Sequence, residues 1–326
     1  MKHIPIAGTD LNPVCLCMGT HLMGSDVNER DSFAILDAYR EAGGNFLDTA
    51  HAYADWAPGC LHKNVSESTI GLWLRQRKNR DAFIVGTKGG WSSDGTPFSE
   101  LLSCEALQRQ IERSRACLQV DTIDLYWLHR DDPARPVAHF IDFLNEQVEK
   151  KTIRHFGCSN WTAQRLQEAA EYAAKQGVKG FVANQMWWSL ATPDLDAYNR
   201  SCNDTAVGMD PETRAYHGRT KLTAVPFTSQ AKGFFNKLAA APLEKLPEFH
   251  RSLYGSPGNL ARFERVRKVG AERSLSVTQV ALGYLLSQPF PVIPIVSCRH
   301  PAVWQDTLTA ADVTLPPGAV RYLEEG

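Results

Sequence analysis

Along the chain, short runs rich in β-branched and aromatic residues alternate with longer stretches whose apolar positions recur at helical spacing. Eight short runs stand out, at 14–18, 45–49, 82–88, 122–128, 154–158, 181–186, 222–227 and 291–296. Most are bounded by turn or polar residues, as strands are. Helical patterns separate them. In 30–42, Phe33, Leu36, Ala38 and Tyr39 fall on one stripe, and Gly43-Gly44 follows where a helix would end. Asn64 with Glu67, and Ser276 with Gln279, have the three-residue spacing of a helix N-cap and its reciprocal partner. Strand–helix alternation at this spacing predicts parallel βα units, and eight of them predict an α/β fold closed into a single (β/α)8 TIM barrel.

Two stretches depart from the alternation. Residues 201–221 are polar, and 241–259 are rich in Pro, Gly and charge. Both are expected to be long loops at the C-terminal face, where long loops in compact domains tend to be functional. No repeat, low-complexity tract or linker divides the sequence, so residues 1–326 are expected to form one catalytic domain.

Composition narrows the class. The 326 residues are 43% hydrophobic and 22% charged, with a formal net charge of −1. That is enough apolar material for a large core. The even charge gives no reason to expect a nucleic acid or an anionic membrane as partner. No stretch reaches the roughly 18 uninterrupted apolar residues of a membrane span, and Met1–Pro5 is not followed by the apolar run of a secretory signal. The expected location is the cytoplasm. Eight cysteines are scattered without a Cys-x-x-Cys pair, so they read as reduced thiols; Cys15 and Cys17, two apart, are expected on one face of the first strand. Cys60 and His62 have no second ligand pair nearby at a usual spacing, and no metal site is expected.

In a barrel of this kind the chemistry sits at the C-terminal ends of the strands. The second predicted strand runs into Asp48-Thr49-Ala50 with Tyr53 just beyond, the third ends in Lys88-Gly89-Gly90, and the fourth in His129-Arg130-Asp131. An acid, a phenol, an ammonium and an imidazole therefore converge on one mouth. Carbonyl reduction needs such a set, because the oxygen must receive a proton as hydride reaches the carbon. Tyr53 is the candidate donor. Lys88 is expected to lower its pKa, Asp48 to hold the lysine, and His129 to orient or protonate the same oxygen.

The ordered series of motifs is similar to the aldo-keto reductase family. It comprises Asn45-Phe46-Leu47-Asp48-Thr49-Ala50 with Tyr53, Gly86-Thr87-Lys88, Asp124-Leu125-Tyr126-Trp127-Leu128-His129, Gly157-Cys158-Ser159-Asn160-Trp161, Asn184-Gln185 and Gln230-Ala231-Lys232-Gly233-Phe234-Phe235. The likeness runs from Gly19-Thr20 to Val292-Ile293-Pro294, essentially the whole chain. The resemblance implies Tyr53 as proton donor with Asp48, Lys88 and His129. It implies cofactor contacts at Gly19, Thr20, Asp48, Ser159, Asn160 and Gln185, with Phe227 stacking on the nicotinamide where the family usually has Tyr. Thr228, Ser229, Gln230 and Lys232 would line the pyrophosphate path. Ser297, Arg299 and Asp306 would face the adenosine end, though Asp306-Thr307 stands where the family pattern has Glu-Asn. Arg299 could grip a 2′-phosphate, so NADP(H) is favoured over NAD(H). No Gly-x-Gly-x-x-Gly follows an early strand, as this resemblance implies.

A substrate pocket is expected from His51, Asp55, Trp56, Trp91, Arg130, Trp187 and Trp188, an aromatic and polar set that would suit a small carbonyl or alcohol substrate, including a sugar-like one. Trp127, inside a strand, is expected to pack. Three other readings compete. A Schiff-base aldolase would use Lys88 with a depressed pKa. A glycosidase would need Asp48 and Asp131 facing each other. A barrel that binds cofactor as a sensor or subunit would show binding without turnover.

Overall fold

The structure is a computed structural model that describes residues 1–55, 64–92, 94–202, 204–300 and 304–325. Eight parallel strands form one sheet: β1 (Cys17–Gly19), β2 (Phe46–Asp48), β3 (Ile84–Gly89), β4 (Ile123–Leu128), β5 (Ile153–Ser159), β6 (Ala183–Gln185), β7 (Thr223–Ala224) and β8 (Ile295–Val296). Their order is β7-β6-β5-β4-β3-β2-β1-β8. The ring closes where the run leading into β8 meets β7: Ile293 N donates to Ala224 O and Ile295 N to Pro226 O, each at 2.9 Å. All eight strands lie within or across the predicted runs.

Helices return the chain between strands, including Glu29–Glu41 after β1, Val65–Arg77 after β2, Cys104–Leu118 after β3, Val137–Glu149 after β4 and Ala163–Gln176 after β5. They cover the outer face, while Cys17, Phe46, Leu125, Trp127, Ala183, Val225 and Ile293 fill the lumen. An N-terminal turn bridged from His3 to Val14 adds Ile6 and Leu11 to the same cluster, plugging the barrel at its base. Trp127 is fully buried there, and packing is its role. Gly157 makes room for it: a Cβ at that position would lie 2.5 Å from the Trp127 ring.

Four local expectations need correction or qualification. The 201–221 stretch is not all loop, because Pro211–Thr220 is a helix capped by Asp210, whose side chain accepts from Thr213 N at 2.7 Å. The 241–259 stretch likewise holds the helix Glu248–Tyr254 and the start of Pro257–Arg273. Ser276 and Gln279 do form a reciprocal capping box, but Asn64 does not cap with its side chain; it sits at a left-handed φ of 63° and turns its amide elsewhere. Cys15 and Cys17 do not share an environment. Bends at Cys15 and Leu16 break the two-residue alternation, leaving Cys15 in the outer core and Cys17 in the lumen.

Candidate active site

Side chains alternate across a strand, so inward-facing residues stack in layers along a barrel. Phe46, Trp127, Ala183 and the small residues Gly86 and Gly157 face inward on five of the strands. Two residues further toward the C-terminal ends stand Asp48, Lys88, His129, Ser159 and Gln185. The register aligns Asp48 with Gly86, Lys88 with Trp127, and Ser159 with Gln185. These inward positions converge at one end of the barrel, so residues far apart in sequence meet: Gln185 Nε2 reaches across from β6 to Asp48 Oδ1 at 2.7 Å.

Lys88 is the hub. Its Nζ donates to Asp48 Oδ2 at 2.5 Å, to Thr49 O at 2.7 Å and to Tyr53 Oη at 3.1 Å, and both charged side chains are buried. Burial works against the ammonium, but Asp48 and Tyr53 outweigh it and raise the Lys88 pKa. Burial raises the Asp48 carboxyl, with Lys88 and Gln185 pulling it back. The Tyr53 phenol departs from expectation: burial raises its pKa, and the opposing pull of Lys88 does not overcome that. His129 packs edge-on to Tyr53, with ring centroids 5.7 Å apart, and Trp91 lies 5.5 Å from His129 on the other side. Burial, with Arg130 and Lys88 nearby, holds the His129 pKa well below its ordinary range. A neutral imidazole can orient an oxygen, but has no ammonium-like proton to give. The site therefore contains one buried cation bridging an acid and a phenol, beside a neutral hydrogen-bonding ring.

The implied cofactor residues line the neighbouring strand ends. Asn160 adopts φ 61°; its Nδ2 donates to His129 O (3.1 Å) and Ser159 Oγ (3.0 Å), and its Oδ1 accepts from Val207 N (3.0 Å). Gln185 Oε1 is buried without a hydrogen-bond partner among the described residues. An orphaned acceptor of this kind fits the amide N–H of a nicotinamide carboxamide. Phe227 is half-buried beside it in the next strand end. Thr228, Ala231, Lys232 and Gly233 all take positive φ, winding the chain after β7 into a tight loop. There Ser229 Oγ donates to Ile295 O (2.6 Å) and Gln230 Nε2 reaches Thr307 Oγ1 (3.5 Å). Thr20 is buried and donates to Asp48 O (3.0 Å), while Gly19 lies tight against Ile295. Arg299 pairs with Asp26 at 3.1 Å, and Asp306 Oδ1 accepts from Ser276 Oγ at 2.7 Å; Ser297 is half-buried just after β8.

The expected pocket residues divide. Trp91 stands at the site. His51 and Asp55 flank Tyr53 and are tied to Asn64, through Asn64 Nδ2 to His51 Nδ1 (2.8 Å) and Asn64 N to Asp55 Oδ1 (2.7 Å). Arg130 is drawn away, donating two 2.8 Å bonds to Asp204 and one to its neighbour His129 O. Trp187 is buried, with its indole N–H on Tyr254 Oη (3.0 Å) and its ring against Phe227. Trp188 packs outward onto Phe290 in the outer core. Trp56, Cys60 and His62 lie outside the described residues. Asp131 is bound by Arg165 through two bonds of 2.8 and 3.1 Å, so it does not face Asp48 as a glycosidase pair would. Among the described residues no group of three or more His, Cys, Asp or Glu could hold a metal ion.

One site residue escaped the sequence reading. His21 lies just beyond β1, after Gly19-Thr20, and its ring stands 6.2 Å from that of Tyr53. Burial, together with Lys232, Lys88 and Arg299, pushes its pKa down to about 4. Those three cations report an electropositive mouth, which fits an anionic dinucleotide.

A closed (β/α)8 barrel with a titratable cluster at its C-terminal mouth defines the class as a barrel enzyme. The model of the aldo/keto reductase family matches residues 15–325, and the chain belongs to that family. It is 28% identical to a norsolorinic acid reductase of Emericella nidulans over 98% of this chain and 79% of that protein. It is 26% identical to an aryl-alcohol dehydrogenase [NADP(+)] of Phanerodontia chrysosporium, covering 92% of this chain and 76% of that protein. An uncharacterized oxidoreductase of Bacillus subtilis, YrpG, is 27% identical over 100% of this chain and 95% of its own length. Membership of this family supports an oxidoreductase acting on carbonyl compounds.

Proposed function

We propose that the chain is a single-domain, NADP(H)-dependent reductase that converts an aldehyde or ketone to an alcohol, or the reverse, with Tyr53 as proton donor. The observation that carries this is Lys88 Nζ held between Asp48 and Tyr53, 3.1 Å from the phenol oxygen. When bound, the reduced nicotinamide supplies the hydride. Tyr53 gives its proton to the carbonyl oxygen as charge builds there, and Lys88 stabilises the phenolate left behind. The raised Tyr53 pKa keeps that proton in place until the oxygen becomes basic. His129, neutral, donates a hydrogen bond that fixes the same oxygen. A positioned proton donor of this kind contributes roughly a hundred- to ten-thousand-fold.

The site would hold the cofactor through Ser159, Asn160 and Gln185 at the carboxamide, Phe227 on the ring, and the loop from Thr228 to Lys232 at the phosphates. Arg299 would meet the 2′-phosphate. Lys88 does not suit a Schiff base, because its pKa is raised. With Arg130, Trp187 and Trp188 engaged elsewhere, Trp91 beside His129 is the clearest described aromatic wall. The names of the relatives add aryl alcohols and a reductase, so aryl carbonyls stand ahead of sugars as substrates. The location proposed with this function is the cytoplasm, where NADPH is at hand.

The test is a titration with NADPH and with NADH, followed by tryptophan fluorescence, and then turnover on a panel of aryl aldehydes. Saturable binding tighter for NADPH, with NADPH consumed on adding 4-nitrobenzaldehyde, is the expected result. Binding without turnover across the panel would favour a sensor or subunit, and binding of neither cofactor would overturn the proposal.

A further inference from the structure

Behind the site lies a second buried acid that the proposed chemistry does not use. Thr87 and Lys88 are neighbours on β3 and face opposite ways, Lys88 into the lumen and Thr87 outward against the helix Val65–Arg77. Thr87 Oγ1 donates to Glu67 Oε1 at 2.6 Å. Glu67 stands in the first turn of that helix and is fully buried. Its other oxygen accepts from Asn64 Nδ2 at 3.1 Å. The same amide nitrogen donates to His51 O at 2.6 Å and lies 2.8 Å from His51 Nδ1, while Asn64 N donates to Asp55 Oδ1 at 2.7 Å. One residue thus grips both ends of the five-residue segment that carries Tyr53. Its amide has two hydrogens and three acceptors within reach, so the pull of Glu67 helps decide how they are shared.

We propose that Glu67 is a positioning residue for Tyr53: acting through Asn64, its carboxyl holds segment 51–55 in place, more tightly when ionised than when protonated. A carboxylate accepts at both oxygens and binds its donors about twice as strongly as a neutral acid. Among the described residues no ion pair compensates its charge. Among the described residues it meets Thr87 and Tyr126 from the sheet, Ser114 and Cys117 from the helix Cys104–Leu118, and Asp55 from the loop after β2, while His51 bonds to Asn64 instead. Arg113, on the same helix, turns its Nε to Asn64 Oδ1 at 3.3 Å. Burial therefore raises the Glu67 pKa to about 7, against the hydrogen bonds it accepts. The proton comes and goes across neutral pH.

The test is hydrogen exchange of the full-length protein, read by mass spectrometry on peptides covering 49–55 across neutral pH and corrected for the intrinsic rate. The backbone amides of His51 and Tyr53, bonded to Lys88 O and Ala50 O, are the reporters. In the wild type their protection should rise by about tenfold as pH climbs through neutrality. Glu67→Gln cannot ionise and should stay at the low-pH level throughout. Asn64→Ala should also flatten the response, and it reads the link from the other side should Glu67→Gln fail to fold. The same pH dependence in wild type and in whichever variant folds, or none in the wild type, would overturn the proposal. A second arm rests on Tyr53 being the proton donor. Glu67→Gln should lower kcat for 4-nitrobenzaldehyde severalfold while NADPH affinity stays unchanged, a split that mere loss of folded protein would not give. An exchange response without that kcat loss would leave the positioning role standing and count against Tyr53.

Discussion

Arg299 and Asp26 meet 3.1 Å apart with 60% and 41% of their side chains exposed. An exposed pair of this kind is worth about 0–1 kcal/mol, so a phosphate with three acceptor oxygens can displace Asp26. Arg299→Ala should weaken NADPH by about tenfold or more, roughly 1.4 kcal/mol, and leave NADH nearly unaffected. Fluorescence titration of both cofactors checks this; equal losses would remove the 2′-phosphate role. At this scale much of the site could be read from the sequence. Asp48, Lys88 and His129 declare themselves because each is a polar residue at the end of an apolar run. His21 is less legible, because it stands two residues beyond β1 and not at the end of the apolar run. The tryptophans are less legible, for a physical reason. Trp187 and Trp188 are adjacent, so they point opposite ways as the chain leaves β6, one toward Phe227 and the other toward Phe290. Indole area alone does not say which side is the pocket. The effect of burial on Tyr53 was also invisible, since desolvation depends on the finished fold.

Among the elements, the capping box at 276–279 carries more than a helix end. Ser276 Oγ accepts from Gln279 N at 3.1 Å and also donates to Asp306 Oδ1 at 2.7 Å, tying the helix Val277–Leu286 to the segment after β8. Ser276→Ala should therefore cost about 1–2 kcal/mol, at the upper end for an N-cap. Denaturant unfolding would measure it, and a change below a few tenths would mean the Asp306 contact and the cap contribute little. The eight strands were legible because a buried parallel strand is a dense apolar run. The helix Pro211–Thr220 was not, because few of its residues are buried and its apolar stripe is thin. Its signal was present in another form: Asp210-Pro211 places an N-cap acid before a proline at the first helical position. Asn64 shows the reverse error. The Asn-x-x-Glu spacing is real, but Asp55 takes the backbone N–H that Glu67 would accept in a capping box, and Arg113 faces the Oδ1 that would cap the helix.

For the whole molecule, barrel closure brings the chemistry together. Asp48 and Gln185 are 137 residues apart and share a hydrogen bond of 2.7 Å, because inward positions on different strands converge at one end of the barrel. The alternation predicts that convergence, and the register places Lys88 between the acid on β2 and the imidazole after β4. What sequence could not supply was the outer layer, where Glu67, Thr87 and Asn64 tie a helix to the loop that carries the phenol. The proposed chemistry stands or falls on that phenol. Tyr53→Phe removes one oxygen and leaves the ring, the lysine and the cofactor contacts in place. The measurement is single-turnover oxidation of NADPH by 4-nitrobenzaldehyde, with NADPH affinity measured alongside. The predicted result is a loss of at least about a hundredfold in the rate with cofactor binding nearly intact; near-normal turnover by the variant would contradict it.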